Sequence, residues 1–225
     1  MEPVSLILKA SFIVITLLTV WQFYRAAKSK AFLIIIVVWM VLQVVIAQTG
    51  FYANTTAVPP RLMFQLIPTV IFMLVMFLTR AGKSFIDRLD IKQLTLIHTI
   101  RIPVEIVLYY LFLAKTIPQI MTFEGRNFDI LAGLTAPLVF YFGFVKNKIS
   151  RKGILIWNLV SLGLLINIVS IAVLSVHSPF QQFAFNESTA ALANFPFNWL
   201  PSVVVPIVLF SHLATIRQLI IKPQQ

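Results

Sequence analysis

The chain has 225 residues, 59% of them hydrophobic and 11% charged, with a mean hydropathy of +0.92. A soluble domain carries about 25% charged residues, so this chain cannot clothe a water-facing surface; a soluble enzyme and a disordered protein are both excluded. Eighteen Lys and Arg against seven Asp and Glu give a net charge of +11. The basic residues fall between apolar stretches, so the excess points to membrane orientation rather than to nucleic acid.

Crossing the hydrocarbon takes about 20 apolar helical residues. Seven stretches qualify as spans: Val4–Tyr24, Ala31–Gln48, Leu62–Thr79, Gln93–Ala114, Ile130–Val145, Gly153–Leu174 and Trp199–Ile220. They occupy residues 1–225 as a single transmembrane domain. The first is read as a span, not a signal peptide: it lacks a basic leader and a small-residue cleavage site, and it ends in Trp21, Tyr24 and Arg25. Thirteen of the Lys and Arg residues lie in alternate loops and the C-terminal end: Arg25, Lys28, Lys30; Arg80, Lys83, Arg88, Lys92; Lys146, Lys148, Arg151, Lys152; Arg217, Lys222. The other side holds Arg61, Lys115 and Arg126, with Lys9 near the N-terminal end. The expected fold is therefore an all-α, seven-transmembrane helix bundle, N-terminus outside and C-terminus cytoplasmic. Sequons at Asn54 and Asn186 fall in loops assigned outside.

Between spans three and four, Ser84-Phe-Ile-Asp87 fits a capping box, and Gly82 suits the end of span three. The helix of span four is thus expected to start near Phe85, with Phe85, Ile86 and Leu89 at the lipid interface. Lys115–Asp129 contains an apolar piece too short to cross, so it lies on the outer surface or dips in as a re-entrant turn. Ser175–Asn198 has no Lys or Arg and carries Phe180, Phe183, Phe185, Phe195 and Phe197. That loop rests on the bilayer or covers the outer mouth of the bundle. The pair Pro118–Gln119 follows span four and occurs once, unlike the dipeptide within each repeat of the PQ-loop families.

Ionisable residues inside a span are costly and face the protein interior. Span four holds His98, Arg101, Glu105 and Tyr109, which fall within about 80° of one another on a helix turning 100° per residue. Arg101 and Glu105 are spaced to pair along the helix. Pro103 between them frees the carbonyl of Thr99. These residues point to a midplane site where Arg101 receives a small polar or anionic molecule and Glu105 carries a proton or holds Arg101. The competing reading is a neutralised pair that fastens span four to its neighbours.

His212 on span seven lies at a depth similar to His98 and Arg101, which raises a haem ligated by the two histidines as a minor alternative. His177 belongs to the outer loop. Three histidines, one of them in a loop, argue against a multi-histidine zinc site, so no metal is expected. No cysteine is present to make disulfides, thiolate sites or nucleophiles. No HExxH, GxSxG or glycine-rich phosphate loop occurs, and no catalytic residue is assigned. Glu124-Gly-Arg126-Asn127-Phe-Asp129 is the densest polar cluster on the outer side. It caps span five through Asn127, or Glu124, Arg126 and Asp129 form the outer rim of the Arg101/Glu105 pocket. Asn158 and Asn167 on span six point to opposite sides.

At Arg101-Ile-Pro-Val-Glu105 and Met121-Thr-Phe-Glu-Gly-Arg-Asn-Phe-Asp129 the chain resembles uncharacterised bacterial multi-pass membrane proteins. The resemblance runs from span three onward, implies the inner membrane of a bacterium, and carries no activity. The leading expectation is a protein that binds or transports a small molecule. A membrane redox or lipid-modifying enzyme using His98, His212, Glu124 or Asp129 is the second. A structural or signalling subunit is the third. Partners are the bilayer, a small ligand, and a second copy or another membrane subunit; nucleic acid is not among them.

Overall fold

The computed structural model describes residues 4–54, 57 and 59–221. Lys222 and the second threonine of the Asn54 sequon, Thr56, lie outside the described residues. Every described element is helical. Among the described residues, six helices are long and apolar enough to cross a membrane: Leu6–Ala27, Lys30–Gln48, Arg61–Leu78, Ile91–Leu113, Arg151–Ser175 and Leu200–Ile221. The remaining apolar helix, Ile130–Val145, is shorter; at 1.5 Å per residue its reach is about 24 Å, against a hydrocarbon core of about 30 Å.

Local chemistry sets the helix ends. In α1 (Leu6–Ala27) the Ser5 hydroxyl accepts from the Leu8 amide, and Lys28 closes the helix in the left-handed conformation. Ser29 caps α2 (Lys30–Gln48) at once, so α1 and α2 form a tight antiparallel pair. Span three begins as a 3-10 turn, Arg61–Gln65, and continues as α3 (Ile67–Leu78). The buried residues of α2 are Met40, Gln43 and Ala47, a narrow stripe. Its other faces show Ile34, Val38, Val41 and Val45 outward. Such an apolar exterior suits lipid and not water.

The capping box does not operate at Ser84. Thr79, five residues earlier, accepts from the Gly82 amide and starts a separate short helix, α4 (Arg80–Arg88), with Ser84 inside it. Gly82 therefore belongs to the first turn of α4 and does not end span three. It is required there because α4 folds back on α3: a Cβ would run into the backbone of Met76. Asp90 then caps α5 (Ile91–Leu96), accepting from Lys92 and Gln93. A 3-10 turn, Ile97–Ile100, joins α5 to α6 (Arg101–Leu113). The Arg101 amide donates to the carbonyl of His98 as the turn tightens.

The last helices are α7 (Ile130–Phe140), ending in a π turn at Tyr141–Val145, α8 (Arg151–Ser175) and α9 (Val205–Ile221). α9 packs on α8, α5, α4, α3 and α1, so it is the central element. It is entered by a π turn at Leu200–Val204. Pro206 has no N–H to offer Ser202, four residues back. The indole of Trp39 on α2 donates to that carbonyl instead, at 2.9 Å. Trp199 Nε1 donates to Met40 O and Asn198 Nδ2 to Gln43 O, so α2 is zipped to this turn. Trp39→Phe keeps the ring and orphans the Ser202 carbonyl. It is expected to cost about 1–2 kcal/mol, a fall of a few degrees in the melting temperature by differential scanning fluorimetry.

At the end carrying the basic loops, Arg217 grips Asp87 with two bonds of 3.0 Å, and Gln218 donates to the carbonyls of Ile86 and Leu89. Both ion-pair partners are partly exposed. Arg217→Ala is accordingly expected to lower stability by no more than about 1 kcal/mol, measured by the same thermal scan.

At the opposite end, residues 115–129 fold against the bundle, with Thr116, Ile117, Pro118, Met121 and Thr122 buried. The long loop divides in two. Its first half leaves Phe180 and Phe185 exposed, while Ala191, Leu192, Ala193, Phe197 and Asn198 are buried. Gln65 donates to Leu192 O and the Ala191 amide to Thr116 O. The second half thus plugs this end of the bundle.

Candidate functional site

A connected polar cluster lies in the middle of the bundle, built on five segments. His98 comes from the 3-10 turn; Arg101 and Glu105 come from the first two turns of α6. Asn127 and Asp129 come from the segment before α7, Asn158 and Ser161 from α8, and His212 from α9. His98, Asn127, Asn158 and His212 are fully buried, and Arg101 and Glu105 are each 2% exposed.

Arg101 is the hub. Its Nη1 donates to the Ser161 carbonyl at 3.2 Å and stands 3.1 Å from Asp129 Oδ1. Its Nη2 lies 2.8 Å from His212 Nε2. A guanidinium can only donate, so Nε2 must accept. His212 Nδ1 then carries the proton and donates to Asn158 Oδ1 at 3.0 Å, a tautomer assigned from the network. Asn158 is itself tied to the Ile154 carbonyl.

The expected Arg101–Glu105 pair does not form. Glu105 Oε1 instead accepts from Asn127 Nδ2 at 2.6 Å, and the same amide also donates to Met121 O. Arg101 takes Asp129, from a neighbouring segment, as its ion partner. The approach depends on Gly133: a Cβ there would fall 2.9 Å from Ile102 Cγ1 and 3.2 Å from Arg101 Cβ. Without side-chain bulk at Gly133, α7 closes on span four and brings Asp129 within reach.

Among the described residues, several polar atoms of this closed cluster lack a partner: both ring nitrogens of His98, Nε of Arg101 and Oε2 of Glu105. Asp129 Oδ1 is at ion-pair distance from Arg101 but off the axis of a hydrogen bond. Most buried polar atoms are hydrogen-bonded, and an orphan costs about 1–3 kcal/mol. The cluster is therefore polar and only partly satisfied by its own side chains.

The two histidines do meet, as a stack. Their ring centroids are 3.8 Å apart with 16° between planes, and Trp157 stands beside the stack, 5.6 Å from the His98 ring and 6.3 Å from the His212 ring. This arrangement does not fit a bis-histidine haem. Stacked rings cannot address one iron from opposite faces, and both nitrogens of His212 are engaged. No group of three or more His, Cys, Asp or Glu with metal-holding geometry occurs among the described residues.

The other expected site residues separate. Tyr109 shares the helix face by angle, but its ring packs on Phe123, 5.1 Å away. Glu124 and Arg126 are exposed; the Arg126 carbonyl accepts from Asn167, which is exposed as well. Of the outer-rim residues only Asp129 turns inward. Asn127 both turns the chain, its Oδ1 accepting from the Asp129 amide at 3.0 Å, and reaches the cluster. His177 is exposed. Sequence spacing gave no sign of the Ser161 carbonyl or of Trp157, whose indole donates to Thr135 at 2.9 Å.

No curated protein and no solved structure matches the chain. A match does run over residues 57–220, a stretch that takes in every member of the buried cluster and omits α1 and α2. Well over half of the chain is covered, and it belongs to the family described as Domain of unknown function (DUF8737).

Proposed function

We propose that the protein binds or transports a small polar molecule at the His98–Arg101–Glu105 cluster, as a seven-span membrane protein with its N-terminus outside and its C-terminus in the cytoplasm. The orientation rests on the Lys and Arg distribution. The bacterial inner membrane is the compartment implied by the sequence resemblance. The cluster then lies near the midplane, where a fastener of neutral side chains would suffice.

The carrying observation is the set of orphaned polar atoms, above all the two nitrogens of fully buried His98. One ring nitrogen donates and the other accepts, so a guest with both a donor and an acceptor satisfies it. Arg101 already has Asp129 for its charge, so an anion finds no free cation here. The polar guest is favoured over the anionic one.

Native mass spectrometry of gently extracted protein tests this. His98→Phe preserves ring packing and removes both nitrogens. The expected result is a reproducible small-molecule adduct on the wild type and its loss from the folded variant. Identical spectra for the two proteins would make the cluster a fastener, and a heteromeric mass would make the chain a subunit of a larger assembly.

A further inference from the structure

The buried cluster holds one guanidinium and two carboxylates. Asp129 stands against Arg101 at 3.1 Å and balances it. His212 has one nitrogen accepting from Arg101 and the other donating to Asn158, which is the neutral ring. His98 has no counter-ion: both nitrogens lack partners and its face lies on His212. Among the described residues, α5 and α9 bring no further buried charge to the cluster, His212 apart. The buried residues of α1 are Phe12, Ile15, Thr16, Thr19, Val20, Phe23 and Ala26. Those of α7 and α8 are equally without ionisable groups. One negative charge is therefore left over, on Glu105.

Glu105 is 2% exposed, and only Oε1 has a partner. A buried carboxylate without a counter-charge is among the costliest groups a fold can hold. Oε2 is thus an unpartnered acceptor inside a closed, singly negative site. We propose that this site takes up one monovalent cation, a proton or a sodium ion, at Glu105 Oε2, and that guest binding is linked to it. As a proton, the cation forms an O–H bond at Oε2 with a proton drawn from solvent, and the neutral acid gains a donor for the guest. As sodium, it takes Oε2 as a ligand and no bond breaks. Linkage makes the effect reciprocal: the cation tightens the guest and the guest tightens the cation. In a membrane such a link lets a cation gradient drive the guest. The inference rests on the reading of the cluster as a binding site.

The test uses guest-free, purified full-length chain in detergent, scanning the melting temperature of wild type and Glu105→Gln. The variant is nearly isosteric and carries no charge to balance. Sodium chloride is exchanged for choline chloride at constant ionic strength, from pH 6 to pH 9. If sodium is the cation, wild type gains on the order of 3 °C at saturating sodium and the variant gains nothing. If a proton is the cation, sodium has no effect, and wild type loses stability relative to the variant as pH rises. Parallel curves for the two proteins under all conditions overturn the proposal. Should the variant not fold, the wild type decides through dicyclohexylcarbodiimide, which adds to protonated carboxyls in apolar surroundings. A tag on the peptide containing Glu105 that fades with sodium or with rising pH supports the proposal; a tag insensitive to both, or none, overturns it. A cation effect without any adduct in the native spectrum leaves this inference standing and removes the guest, so the two failures are separable.

Discussion

Arg101→Ala is expected to cost about 3–5 kcal/mol, the usual consequence of removing one partner of a buried ion pair. The loss is larger than a single contact suggests. Alanine leaves the Asp129 carboxylate uncompensated, opens the Ser161 carbonyl, and strips His212 Nε2 of its donor. For a chain of this length the melting temperature falls by about 10 °C. Arg101→Ala combined with Asp129→Ala should recover a good part of that loss, because the Asp129 carboxylate is then no longer left without its cation; thermal scans of both singles and the double measure the coupling. If the single variant matches wild type, Arg101 is not the hub of the interior. Arg101→Lys does not rescue fully, since one ammonium cannot reach Ser161, Asp129 and His212 with the guanidinium's planar fork.

Gly133→Ala is the second large effect. The new methyl would stand 2.9 Å from Ile102 Cγ1, 3.1 Å from the Ile102 amide nitrogen and 3.2 Å from Arg101 Cβ. Backbone cannot swing aside as a flexible side chain can, so α7 must move away from span four. Overpacking of this kind costs about 1–3 kcal/mol. Its specific signature is at the site: as α7 retreats, Asp129 is withdrawn from Arg101. The Arg101–Asp129 coupling energy, measured by the same double-variant cycle in the Gly133→Ala background, should shrink by about half or more. Gly163→Ala is the control, because a Cβ there meets nothing within 4 Å. Equal coupling in both backgrounds would show that α7 is free to accommodate the methyl.

Each apolar stretch in the sequence is helical in the structure, because apolar length and the absence of water leave the backbone no better partner than itself. The face formed by His98, Arg101 and Glu105 was legible for the same local reason: a helix turns by 100° per residue whatever surrounds it. Helix starts were less legible where candidates compete. Thr79, Ser84 and Asp90 all offer a capping oxygen, and the fold uses the first and the last. The choice follows from α4 folding back on Met76, which Gly82 permits.

The sequence by itself determined that the chain is all-helical and apolar, where its basic loops fall, and which side chains are too polar for their surroundings. Those properties depend on composition and on neighbours a few residues away. The tertiary structure alone decided the partners. Arg101 had Glu105 one turn away, yet it binds Asp129, twenty-eight positions along, because Gly133 admits α7 and Asn127 occupies Glu105. Tyr109 shares the helix face but is claimed by Phe123. His98 and His212 are far apart in the chain, and only the packing of α9 on the 3-10 turn Ile97–Ile100 makes them a stack. Which charge is balanced and which is left over depends on contacts between segments far apart in the chain, and helical periodicity does not encode those.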